Sequence, residues 1–290
     1  GVVNIAMEGM MLTGAFFAVF VDVHVHNAAI GMLAAMAAGA AMAAIHAFAA
    51  VRLRADQIVS GVAINLLALG LTSYLLFTLF GTNGPPTSCV PPTPCTGDQV
   101  RTIPDWSIPV LNRLPGLGQV LFQQNMIVYL SILIVVLAWL FLFRTTWGLR
   151  LRAVGEHPRA ADTAGINVLG LRFLAVLPSG ILSGLAGGYL ALAISGTFSD
   201  NLTSGRGFIA LAAMIFGKWN PFGAFGACLL FGFGQALYDT LQNSTGPIQN
   251  YSTLVATLPY VLTILALAGF VGRSTPPAAD GIPYDPAGNA

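Results

Sequence analysis

Charge is what this sequence has least of. Only 8% of its 290 residues are charged, against 56% hydrophobic, and the mean hydropathy is +0.76. Soluble domains carry about 25% charged residues, so water is not the main solvent of this chain. The net charge is +1 with no long basic run, which excludes a nucleic-acid surface. Lys218 is the sole lysine, and its surroundings, Phe216 to Asn220, lack the glycine-rich loop that cradles a nucleotide phosphate. The chain is therefore not expected to hydrolyse ATP by itself. Cysteine is scarce too: Cys89 and Cys95 share a proline-rich stretch and Cys228 lies in an apolar run, which is not metal-ligand spacing. His24 and His26 have no third convergent ligand, so no metal is expected. No nucleophile and base fall into a catalytic pattern, so the chain is read as a non-enzyme.

What is abundant is long apolar runs. A bilayer core about 30 Å thick requires roughly 20 apolar helical residues per crossing. Eight segments qualify, near Val3–Val21, Ala29–Val51, Ser60–Phe80, Asn125–Phe143, Leu171–Ser195, Gly207–Gly217, Phe222–Tyr238 and Leu254–Val271. The fold class is thus an all-α polytopic transmembrane bundle. The sixth segment is too short to span when straight, so it is expected to be re-entrant, broken, or begun earlier in the preceding loop. Gly1 already lies in an apolar pattern, so the expectation is either a further helix before it or a start assigned late.

Cytoplasmic loops collect Lys and Arg. If the loop bearing Arg144, Arg150, Arg152, Arg159 and Arg172 is cytoplasmic, alternation also places Arg52, Arg54, Lys218 and Arg273 inside. Arg101, Arg113 and Arg206 remain outside. The expected organisation is a transmembrane domain over 1–273 and a disordered, proline-rich cytoplasmic tail over 274–290. Within that domain lie a long external loop over 81–123 and a cytoplasmic loop over 144–171. Cys89 and Cys95 would face an oxidising compartment, either as a local disulfide or as two free thiols.

The inner loop carries Gly155, Glu156, His157, Pro158, Arg159, Ala160, Ala161, Asp162 and, after Thr163 and Ala164, Gly165. His157 and Pro158 can open a short helix, the alanines favour it and Gly165 supplies a stop. A short helix between two spans is either a docking element or an ordinary turn with positive-inside arginines. This stretch resembles the coupling loop of ABC importer permeases, whose motif is Glu-Ala-Ala, three residues, then Gly. Here Arg159 occupies the glutamate position, and the neighbouring Glu156 is the candidate to take part in its place. Three further blocks, Asn4–Ala15, Ala55–Asn65 and Gly205–Pro221, resemble the branched-chain amino acid, ribose and nucleoside permease family, the last two being most similar to its nucleoside branch. The resemblance implies a nucleoside importer subunit in the bacterial plasma (inner) membrane, with coupling loop and C-terminus cytoplasmic. It also implies a second, distinct permease, a cytoplasmic ATPase that carries the ATP and Mg, and an external substrate-binding lipoprotein. No cofactor is expected on this chain. The alternatives are a permease for branched-chain amino acids or simple sugars, or a secondary transporter without an ATPase.

Inside the predicted spans Glu8 is the only acidic residue, with Asn4 one turn earlier on the same face. Ionisable groups in lipid are costly and face a pathway or partner. Glu8 and Asn4 are therefore candidates for lining or buttressing the route; the competing readings place Glu8 close to the cytoplasmic headgroups or have it cap a broken helix. Asn65 joins them, against a plain interhelical hydrogen bond, and Phe16 and Phe17 suit a nucleoside base. Arg206 beside Gly205 and Gly207 is a further candidate for a polar ligand, or else reaches the headgroups. Gly180, Gly184, Gly187 and Gly188, together with Ser179 and Ser183, put small residues on the fifth span, where backbones can approach closely. A kink is expected at Pro178.

Overall fold

The computed structural model describes residues 1–81, 88–89, 99–107, 123–242, 257, 261 and 274–286. The helices are α1 (Met7–Val25), α2 (Ala28–Ala47, widening into a π turn over Phe48–Arg52), α3 (Gln57–Phe80), α4 (Met126–Arg144), α5 (Thr146–Glu156), α6 (Pro158–Thr163), α7 (Val168–Tyr189, with a π turn over Leu190–Ser195), α8 (Arg206–Phe216) and α9 (Pro221–Gln242). Six are long and apolar enough to cross a bilayer among the described residues, and α8 is the shorter sixth segment. The eighth expected segment, Leu254–Val271, lies outside the described residues apart from Thr257 and Val261, as does Cys95 and hence the Cys89–Cys95 question. Strands of two or three residues, β1 (Ser88–Cys89) beside β2 (Val100–Arg101) and β3 (Asp105–Ser107) beside β4 (Gln123–Asn125), decorate one end of the bundle.

Local chemistry sets the helix starts. Asn27 accepts hydrogen bonds from the Ala29 and Ile30 N–H groups, Asp56 from Ile58 and Val59, Asn125 from Ile127, Thr145 from Gly148 and Asn167 from Gly170. Each satisfies an N–H that the first turn leaves without an intrahelical partner. Helix α1 runs four residues beyond the expected Val21 because the stop is His26, in the left-handed conformation at φ 59°, followed at once by the Asn27 cap. Helix α7 continues past Pro178.

The core is a trio of helices, α1, α2 and α7, that pack most extensively against one another. Glycine makes this possible. A Cβ at Gly14 would lie 2.6 Å from the Gly184 Cα; one at Gly180 would strike the Gly39 carbonyl, one at Gly187 the Met11 carbonyl oxygen, and one at Gly188 would meet Met32 Sδ at 2.8 Å. Except at Gly188, which meets a side chain, these contacts are backbone on backbone, the arrangement by which helices associate where burial of apolar surface gives no driving force. Around the trio, α3, α4 and α9 turn large apolar side chains outward, among them Val59, Leu66, Tyr74, Leu133 and Phe233, and α4 buries none of its residues. Such a surface suits lipid.

Contacts sort the loops into two ends. At one end the Asp22 carboxylate accepts from the Arg101 N–H (2.6 Å), Ile103 donates to the Leu192 carbonyl (3.2 Å) and Asn125 Nδ2 to the Ile103 carbonyl (2.9 Å). At the other end Arg54, α5, α6, the start of α7 and residues 274–286 meet. The basic residues expected to share a side at 54, 159 and 172 are thus together, opposite Arg101. The tail departs from the sequence reading: over 274–286 it is ordered, with Ala279 and Tyr284 buried. Its proline-rich composition cannot build a core of its own, but a segment laid on an existing surface needs none.

Candidate functional site

Residues 1–6 precede α1 without helix or strand, ending in a turn at Ile5 and Ala6, and several polar side chains converge on them. Gln57 Oε1 accepts the Val3 N–H (2.7 Å), His46 Nε2 is 3.2 Å from the Val3 carbonyl, and Asn65 Nδ2 donates to the Ile5 carbonyl (3.0 Å) while its Oδ1 accepts from the Gly9 N–H (2.8 Å). Asn65 therefore supplies the acceptor that the uncapped first turn of α1 lacks. Asn4 Oδ1 accepts from the Ala6 N–H (3.1 Å) and its Nδ2 donates to Ser179 Oγ on α7 (2.6 Å).

Glu8 is buried, and both its oxygens are occupied. Oε1 accepts from Thr203 Oγ1 (2.5 Å) and the Gly205 N–H (2.8 Å); Oε2 accepts from the Gly207 N–H (2.6 Å). Gly205 precedes α8, so the carboxylate closes the positive end of that helix from another part of the chain. The geometry corresponds to the capping alternative. Gly205 and Gly207 are the right residues here: Gly205 sits at φ +84°, and a Cβ on Gly207 would meet the Glu8 Cα at 2.6 Å.

Depth follows from helix rise. Asn65 is eight residues into α3, about 12 Å from its start, and Glu8 is about 25 Å from the far end of α1. The start of α8 therefore lies well inside the bundle. Segment 196–205 descends past Phe198, whose ring packs on Phe16 at 5.3 Å, and α8 completes the passage. The short sixth segment is thus a broken crossing, half loop and half helix. This corrects the outer placement of Arg206: its Nη1 donates to the Leu202 carbonyl (3.2 Å), beside the capped helix end. Phe16 is 1% exposed among Phe17, Phe20, Phe80 and Phe198 and offers no open face to a solute in this conformation.

Between this junction and the loop end lies a cavity of about 240 Å³, lined in part by Asn4, Val154, Arg172, Ser179, Leu211 and Trp219. It joins the polar junction to α5, the first helix of the loop motif. Helix α6 begins at Pro158 and ends where the Gly165 N–H bonds the Asp162 carbonyl (2.8 Å) with Gly165 at φ +81°. Ala161 is buried against Val154, Val168 and Tyr284, whereas Glu156, Arg159, Ala160, Asp162 and Gly165 are exposed. Gly155 is buried and its carbonyl accepts from Ala279. Among the described residues no three His, Cys, Asp or Glu side chains gather as a metal site.

Several participants escaped the sequence reading. Asp22 is wholly buried, but a span ending at Val21 excludes it; the Asn27 cap was the signal that would have included it. His46 stands alone in an alanine-rich run, and Thr203, Ser179 and Gln57 matter only through partners far away in sequence.

Comparison with known proteins agrees with this architecture. The family model described as branched-chain amino acid transport system / permease component matches residues 1–267. The chain is 46% identical to the guanosine ABC transporter permease protein NupQ of Bacillus subtilis, over 98% of this chain and 88% of the relative. It is 41% identical to the nucleoside ABC transporter permease protein NupC of Lactococcus lactis, with the same coverage. To a second Bacillus subtilis protein, the guanosine ABC transporter permease protein NupP, it is 25% identical over 80% of this chain and 65% of the relative. No solved structure matches.

Proposed function

The chain belongs to the family of branched-chain amino acid transport system permease components, and on that premise we propose that it is one of two transmembrane subunits of an ATP-driven nucleoside importer. The observation that carries the substrate class is the 46% identity, over nearly the whole chain, to a guanosine permease. That the chain resembles two different guanosine permeases of one organism, at 46% and 25% identity, supports a distinct homologue as its partner. The reading includes a cytoplasmic ATPase, which binds ATP and Mg, and an external substrate-binding protein. Loop 144–171 faces the cytoplasm in the plasma membrane. ATP-driven closure of the ATPases presses α6, and the bundle alternates between outward and inward access. Asn4, Ser179 and Trp219 line the inner side of the route in this scheme. Glu8 and Asn65 hold its walls in place rather than touching the solute.

Uptake of radiolabelled guanosine, adenosine, uridine and cytidine by cells bearing the intact system tests the substrate class. Competition by unlabelled nucleoside but not by leucine or glucose is expected; inhibition by leucine or glucose alone refutes it. Copurification of an ATPase with the chain tests the motor.

Gly165 tests the coupling element. No atom lies within 4 Å of a Cβ built there, so a side chain meets no obstacle. The left-handed backbone is the obstacle, costing a branched residue about 1–2 kcal/mol. Gly165→Val is expected to lower uptake about ten-fold with the chain still in the membrane fraction. Gly165→Asn, which tolerates this conformation, should retain most uptake. Wild-type uptake by Gly165→Val would exclude a structural role for the turn in coupling.

A further inference from the structure

Five elements end on the same side of the bundle, and one segment touches all of them. Ser274 Oγ donates to the Ile215 carbonyl at the end of α8 (2.9 Å). Four residues on, the Ala278 N–H donates to Glu156 Oε2 (3.2 Å) and the Ala279 N–H to the Gly155 carbonyl (2.9 Å). That carbonyl belongs to the last turn of α5 and has no intrahelical partner of its own. The Ile282 carbonyl then accepts from Arg172 Nη1 (2.7 Å) in the first turns of α7, and Tyr284 lays its ring on the Arg172 guanidinium (5.9 Å). The Tyr284 hydroxyl donates to Asp162 Oδ2 on α6 (2.8 Å), a bond that also holds the phenol above its ordinary pKa. Asp285 finally pairs with Arg54 in the α2–α3 turn (2.9 Å).

These links differ in strength. The Arg54 side chain is 46% exposed, so its pair with Asp285 is screened and weak. Tyr284 instead joins Val154, Ala161 and Val168 in a buried cluster, and Arg172 is 4% exposed. The firm grip therefore falls on α5, α6 and α7. Without the segment, α6 hangs between two short connections, His157 and residues 164–167, with only a few apolar side chains beneath it.

We propose that residues 274–286 are a transmission strap: by binding the α5–α6 loop to α7 and to the α2–α3 turn, they make a push on the loop move the walls of the route. The strap rests on the importer reading, since it needs a motor that presses the loop. It also leaves Arg159, Ala160 and Gly165 uncovered, so the loop stays open to that motor.

Two variants test it in the complete assembly of both permeases, the ATPase and the binding protein. Tyr284→Ala removes the buried ring and the Asp162 bond; Tyr284→Phe keeps the ring and loses only the bond. For Tyr284→Ala, ATP hydrolysis is expected to persist while guanosine uptake falls about five-fold or more, the lower end of coupling between two sites. Backbone amides of 155–165 should exchange faster with deuterium. Tyr284→Phe should lie between this variant and wild type. Unchanged uptake with unchanged exchange overturns the strap. So does a parallel loss of hydrolysis and ATPase binding, which would make the segment a docking surface. If the unmodified assembly hydrolyses ATP but imports no nucleoside, the substrate reading fails, and amide exchange still decides whether the segment braces the loop.

Discussion

Glu8→Ala will leave a chain that inserts but neither holds its fold at ordinary temperature nor transports. The substitution removes the acceptor of three donors, Thr203 Oγ1 and the Gly205 and Gly207 N–H groups. Each donor left without a partner in the interior costs about 1–3 kcal/mol, and the lost charge at the start of α8 adds up to about 2 kcal/mol. A total near 5 kcal/mol is comparable to the whole stability of many domains. Glu8→Gln is the more telling variant. It has nearly the same shape, yet one oxygen becomes an NH2 that faces a donor, so at least one of the three bonds turns into a repulsion. A loss of about 1–3 kcal/mol is expected for it. Thermal unfolding in detergent and uptake in cells measure both. Were Glu8→Gln to keep wild-type stability but lose uptake, the carboxylate would be acting on the solute rather than on α8.

Gly187→Ala will be nearly as damaging although it adds only one methyl group. The new Cβ would collide with the Met11 carbonyl oxygen and lie 2.8 Å from the Ala15 nitrogen, both backbone atoms of α1. A side chain can rotate away; a helix backbone must be displaced as a whole, which also opens the contact between Gly14 and Gly184. Overpacking typically costs about 1–3 kcal/mol and more where nothing yields, so about 3 kcal/mol or more is expected. The internal control is α9. Gly226 and Gly232 have no atom within 4 Å of a built Cβ, and alanine there should be neutral or stabilising by up to about 1 kcal/mol through helix propensity. Equal effects at Gly187 and Gly226, measured as shifts in unfolding temperature, would rule out close backbone packing of α1 on α7.

The contrast between these sites marks what a linear reading reaches. Hydropathy placed the six long spans found among the described residues, because lipid demands about 20 apolar residues wherever a helix crosses. Pro158 and Gly165 announced α6, since both act within a turn of themselves. The small residues around Gly184 identified a packing face by spacing alone. The Glu8 cap was different: Glu8 and Asn4 were visible as costly polar groups, but their partners lie 195 and 175 residues away, beyond any local pattern. For the same reason composition misled at the tail. Proline and polar residues predict a chain that cannot fold alone, and say nothing of a surface elsewhere on which Tyr284 can be buried.

The separation of Glu8 from its partners bears on biosynthesis. A ribosome releases α1 long before residues 203–207 exist, so for most of translation an acidic group waits in the bilayer without its hydrogen-bond donors. The sixth crossing is then a late-arriving keystone: its leading end can enter lipid at low cost only by meeting a carboxylate already there, and that carboxylate is relieved only by its arrival. Nascent chains that end before residue 203 lack all three of the donors that Glu8 accepts from.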